Sequence, residues 1–114
     1  MTEKMDVTPG TLSLMVLKTL HVLGPLHGYG IAQRIKETSQ GRIELNYGTL
    51  YPALVKLEQE GCVTAEWGRT ENNRRAKFYT LTPAGQTQLA AEAREWRRTA
   101  DVLAAFMGLQ EGQA

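Results

Sequence analysis

The sequence predicts a mainly α chain with a single two-stranded β hairpin, an α+β fold. Three observations carry this. Apolar residues recur at helical spacing in four segments, each bounded by capping or breaking residues. Only one pair of runs, Cys62–Trp67 and Arg74–Leu81, has the β-branched alternation of strands, with turn chemistry between them. The last helical segment repeats its apolar residues at coiled-coil spacing. A chain of 114 residues suits one domain with a modest core.

Residues 1–9 are polar, end in Pro9, and read as a frayed tail. The first helix is expected from about Thr11 to Leu23. Leu12, Met15, Val16, Thr19, Leu20 and Leu23 form a wide stripe, with Leu14 and Leu17 to its side. A helix this apolar must be covered on more than one side, which points to a partner subunit. Gly24-Pro25 ends it, and Leu26 to Gly30 reads as a turn. The second helix follows to about Thr38 with Ile31, Ala32 and Ile35 inward. Ser39-Gln40-Gly41 is a loop, and Arg42 to Leu45 alternates like a short extended piece.

The stretch Asn46 to Gly61 is the third helix. Asn46 or Thr49 can cap its start, and Gly61 can end it in a left-handed conformation. Pro52 fits best in a first turn, which favours a start near Thr49 or a bend after Gly48. Leu50, Leu54 and Leu57 share one face, with Ala53 beside them. The opposite face carries Thr49, Pro52, Lys56 and Gln59, with Val55 adjacent. Such a helix can enter a DNA major groove N-terminus first, its dipole favouring phosphate and its polar side chains reaching base edges. Taken alone, the segment reads equally well as an amphipathic helix with a solvated face.

In the hairpin, Gly68 to Asn73 forms the turn, and Asn72 and Asn73 tolerate positive φ. Trp67, with Tyr79 or Phe78, supplies the apolar side that packs on the helices. The fourth helix opens with Thr82 as N-cap and Pro83 at its first position, and ends near Met107 before Gly108. Leu89, Ala93, Trp96, Ala100, Leu103 and Met107 follow a heptad seam. The seam reads either as packing on the helix's own domain or as an intermolecular contact. The surplus apolar surface of the first helix favours the second.

Net charge is only +1, so nucleic-acid binding must rest on a local patch. Residues 62–81 provide one: Arg69, Arg74, Arg75 and Lys77 against Glu66 and Glu71, a net +2. The single cysteine, Cys62, excludes an intrachain disulfide and reads as a small buried residue, in keeping with a cytoplasmic location. No stretch has the length and apolarity of a membrane span, and the first residues do not read as a signal peptide. Two histidines and one cysteine at unsuitable spacing make no zinc site. No nucleophile–base pair, phosphate loop or paired carboxylates point to an enzyme or a cofactor.

Three helices, a basic hairpin and a further helix, in that order, form a winged helix-turn-helix (residues 10–81) followed by a C-terminal dimerisation helix (82–108). The third helix is expected in the major groove of double-stranded DNA and the hairpin tip on phosphates or in the adjacent minor groove. A winged-helix module for protein assembly without DNA is the competing class. The basic tip, which assembly does not need, discriminates against it.

The chain resembles the PadR-like transcriptional regulators. The blocks that carry the resemblance are Leu26-His27-Gly28-Tyr29-Gly30-Ile31, then Gly48-Thr49-Leu50-Tyr51-Pro52-Ala53-Leu54 with Leu57 to Gly61, then Arg75 to Gly85. They span roughly Gly10 to Met107. A single helix after the wing resembles the short subfamily. The resemblance implies a homodimer, usually a repressor, on a near-palindromic operator, released by a small molecule, with the C-terminal helix docked on the partner's N-terminal region. Asn46 stands where many relatives carry serine. It caps equally well, so the local DNA contact is what changes.

The residues expected to meet DNA are Tyr29, Asn46, Tyr47, Thr49, Tyr51, Lys56, Gln59, Arg69, Asn72, Asn73, Arg74, Arg75 and Lys77. For Tyr51, a phosphate contact and a wedge against the second helix are equally open readings. His27 reads as a turn residue. Leu12, Met15, Leu89, Ala93, Trp96, Ala100, Leu103 and Met107 are the expected dimer contacts. Trp96, between small Ala93 and Ala100, either packs the dimer or leaves a slot for a planar aromatic effector, as some short relatives do.

Overall fold

The computed structural model describes residues 3–110 and residue 112. Its elements are α1 (Pro9–Leu23), β1 (Leu26–His27), α2 (Gly28–Thr38), α3 (Tyr47–Gln59), β2 (Val63–Arg69), β3 (Arg75–Leu81) and α4 (Pro83–Met107). The three strands form one antiparallel sheet in the order β1-β3-β2. The fold is α+β and winged-helix, as expected, but the sheet has a third strand where Leu26 and His27 were read as turn. Leu26 pairs with Tyr79 and His27 with Phe78, so this strand exists only through a distant partner.

His27 serves two elements at once. Its backbone belongs to β1, and its Nδ1 accepts from the Gly30 N–H at 2.9 Å as the N-cap of α2. The second helix therefore begins inside the expected turn. Pro9 begins α1 rather than ending a tail: Thr8 caps it, its side chain accepting from the Thr11 N–H, and Pro9 takes the first turn, where a missing N–H costs nothing. The segment before it is tied down. The Met5 N–H donates to the Arg42 carbonyl at 2.9 Å, and Lys4 reaches both the Gly41 carbonyl and Glu44. The frayed-tail expectation thus fails at Lys4 and Met5, and for Met1 and Thr2 it lies outside the described residues. Arg42 to Leu45 forms no strand, but Ile43 is buried in the core.

The core joins Leu12, Val16, Leu17 and Leu20 of α1, Ile31 and Ile35 of α2, and Leu50, Leu54 and Leu57 of α3 with Val63, Tyr79 and Leu89. Cover for α1 thus comes largely from its own chain, so an apolar helix did not by itself demand a partner. Gly85 lets α4 touch the sheet: a Cβ there would sit 2.1 Å from the Cys62 carbonyl oxygen. That carbonyl accepts from the Thr82 N–H, and Thr82 caps α4. Cys62 is buried, which pushes its thiol pKa up.

Candidate nucleic-acid interface

Asn46 caps α3, its Oδ1 accepting from the Thr49 N–H at 2.9 Å, so the helix starts at Tyr47 and not at Thr49. Pro52 then lies in the second turn, inside the helix, where it supplies no N–H to the Gly48 carbonyl. The helix ends at Gly61, whose φ of +75° is the left-handed stop glycine allows. Leu50, Leu54 and Leu57 hold it to the core. Tyr47, Thr49, Tyr51, Pro52, Val55, Lys56 and Gln59 are exposed.

The wing stands beside it. In β2 and β3, Ala65 faces Tyr79, Trp67 faces Lys77 and Arg69 faces Arg75. Alternation puts all six on one side of the hairpin. That side runs from the buried Tyr79 to the basic tip. Burial also raises the Tyr79 hydroxyl pKa. Trp67 is not part of the apolar packing expected of it. It is 60% exposed, with the Arg75 guanidinium 4.4 Å from its ring centroid. Tyr79, buried in the core, does the packing, and Phe78, half-buried on the opposite side, sets its ring 5.2 Å from that of His27. The tip closes through Asn73 at φ 59°, and Arg69 donates to the Asn73 carbonyl. Asn72 and Arg74 are exposed beside it. Among the described residues, none of Arg69, Arg74, Arg75 and Lys77 is paired with a carboxylate.

A groove of about 900 Å³ separates α3 from the wing. Tyr29, Tyr47, Tyr51, Trp67, Arg75 and Lys77 line it. Tyr51 wedges against α2: its hydroxyl lies against Gly28 at the start of that helix, while the residue stays 43% exposed and its ring stands 5.4 Å from that of Tyr47. Thr49, Lys56 and Gln59 do not line this groove. Trp67 and Val55 also line this groove, beyond the expected DNA contacts. Trp67 shares its strand alternation with Arg69, a signal that was present.

At the other end of the molecule, the expected dimer residues divide. Leu12 is buried in its own chain's core, and Leu89, buried as well, lines the floor of a groove between α1 and α4. Met15 and Ala93 line the same groove, about 740 Å³, together with Leu14 and Trp96. Trp96, Leu103, Phe106 and Met107 are exposed along α4, and Ala100 is half-buried. No helix among the described residues is long and apolar enough to cross a membrane.

An exposed helix with a basic, unpaired wing at its side defines a winged-helix protein of the transcription-regulator class. The chain belongs to the transcriptional regulator PadR-like family, whose pattern matches residues 16–91. The transcriptional regulator Rv3488 of Mycobacterium tuberculosis is 34% identical over 80 residues, 66% of this chain and 71% of that one. In structure the chain is similar to smu.1704 from Streptococcus mutans UA159, with a TM-score of 0.79 and 26% identity over 96% of this chain and 95% of that one. It is also similar to a transcriptional regulator from Clostridium thermocellum, with a TM-score of 0.77 and 28% identity over 85% and 93%. The family is one of transcriptional regulators and not, in general, of enzymes.

Proposed function

We propose that this protein is a sequence-specific DNA-binding repressor that acts as a homodimer. Residues 10–81 form the DNA-binding unit and residues 82–108 the dimerisation helix. In this reading α3 enters the major groove, and the wing lies on the phosphates or in the neighbouring minor groove. The observation that carries it is the wing: four cations without acidic partners among the described residues, beside a helix whose outer face is exposed. Unpaired guanidinium groups gain most from phosphate, by charge-assisted hydrogen bonds and release of counterions.

The exposed residues Trp96, Leu103, Phe106 and Met107 support dimerisation through α4. The groove beside Trp96 supports an effector of planar aromatic shape, which would act by favouring one spacing of the two recognition helices over another.

The test is DNA binding by the double variant Arg74→Ala, Arg75→Ala across a salt series. We expect weaker binding to all sequences alike and a salt slope flattened by about one to two. Unchanged binding by the double variant, or equal affinity of the wild type for selected and random DNA, overturns the reading.

A further inference from the structure

We infer that α3 reads thymine through its C5 methyl group, with Val55, supported by Pro52, as the contacting surface. This rests on the proposal that α3 enters a major groove. The helix has 3.6 residues per turn, so Gly48, Pro52, Val55 and Gln59, at i, i+4, i+7 and i+11, form one stripe. That stripe lies directly opposite Leu50, Leu54 and Leu57, the three side chains buried in the core. It is therefore the line of the helix that reaches deepest into a groove.

Its chemistry is narrow. Gly48 has no side chain, and Pro52 and Val55 carry no donor or acceptor. Val55 is 48% exposed, a β-branched apolar residue held in the open on a helix whose three leucines are buried. The one cation of the outer face, Lys56, stands beside the stripe and not on it. Among the four base pairs, the only apolar feature in the major groove is the thymine methyl. Arginine or lysine, the usual partners of guanine, are missing from the stripe, and Gln59 at its end has the geometry that suits adenine. The charge needed to hold the duplex comes from the flank, from Arg74, Arg75 and Lys77 on the wing. Non-specific attraction and base reading are thus separated: the wing supplies charge, and the stripe supplies shape and an apolar contact.

The experiment uses the full chain. A binding site is first selected from random duplex DNA, then each thymine in a half-site is replaced in turn by uracil, which removes only the methyl group. For the wild type, we expect about a fourfold loss at one or two positions per half-site, equivalent to about 0.8 kcal/mol for one buried methyl. Val55→Ala keeps an exposed helix position and a good helix former. It should bind the thymine site about fourfold more weakly and lose nothing further with uracil at the matching position. If uracil costs nothing at any position, or costs the same in wild type and Val55→Ala, the inference is overturned while DNA binding stands. If no sequence is enriched from the random pool, the DNA reading fails and takes this inference with it.

Discussion

The winged body and the distal half of α4 treat the same kinds of residue in opposite ways. In the body, Leu50, Leu54, Ile31 and Val16 are wholly buried. Along α4, Trp96, Leu103, Phe106 and Met107 are 57–83% exposed. The body covers its own apolar side chains; the end of α4 leaves them in the open. Apolar content alone does not tell the two apart, since α1 is the more apolar of the two helices and is the better covered. What separates them is whether neighbouring elements of the chain can reach the stripe. The molecule's extents of 62 × 37 × 22 Å show α4, at 25 residues about 37 Å long, reaching beyond the body.

The sharpest way to break this contrast is to cut the same type of residue in both regions. Leu54→Ala should cost about 2–5 kcal/mol in chemical unfolding. Phe106→Ala, measured at dilution where the chain is monomeric, should change stability by less than about 0.5 kcal/mol. Equal losses would mean that α4 folds back on its own body. Gly85→Ala belongs with the first: it drives a methyl group into the Cys62 carbonyl oxygen and should cost about 3 kcal/mol, read by the same denaturant titration.

Next in size is Leu103→Asp. If α4 joins two chains, this variant should sediment as a monomer and lose the concentration dependence of its thermal midpoint. A wild-type chain that is itself a stable monomer at micromolar concentration would break the contrast from the other side. Asn46→Ala sharpens it within the body. It removes the cap of α3 and should cost about 1 kcal/mol, with its largest effect on amide exchange in the first turn of that helix.

The smallest expected effect concerns Glu44. Hydrogen bonds from Lys36 first and Lys4 second, with their charges, lower its pKa from 4.5 to about 2 and raise that of Lys36. A folded-state pKa below the unfolded value gives stability that is complete above pH 4.5 and disappears as pH falls towards 2. All three groups are exposed, so the effect is slight. Thermal midpoints of wild type and Glu44→Gln should differ above that window and converge at its lower end.

What could be read in advance depended on whether the determining partner was near in sequence. Thr82, Pro83 and Gly108 mark both ends of α4, and each acts within one turn of its own position. The leucines of α3 declare its buried face by spacing alone. The start of α3 was less clear because Asn46 and Thr49 both can cap. The choice fell to Asn46 although it leaves Pro52 inside the helix. Thr8 and Pro9 were a readable start signal for α1, overridden by the polar character of the residues before them. β1 was not readable, since two residues carry no period and their partners lie more than 50 positions away. Trp67 misled because hydrophobic size was taken as burial, whereas strand alternation places it with Arg69 and Arg75 on the groove side. The residues that line the groove, Tyr29, Tyr47, Tyr51, Arg75 and Lys77 among them, stand out in the sequence by type and by element. That they share one groove does not, because it depends on how the wing leans against α3.

The two rungs of β1 also set a mechanical limit. They are where the helical half of the body is stitched to the hairpin's β3, at Leu26–Tyr79 and His27–Phe78. Two pairs close a loop of some fifty residues, a joint bought with little enthalpy against a considerable chain entropy. The clasp is also an edge strand too short to recruit another chain. Were it to open, the hairpin would still be anchored to the helices by Val63 and Tyr79 in the core. The lean of the wing against α3 is thus held first by core packing and only second by these two rungs of sheet.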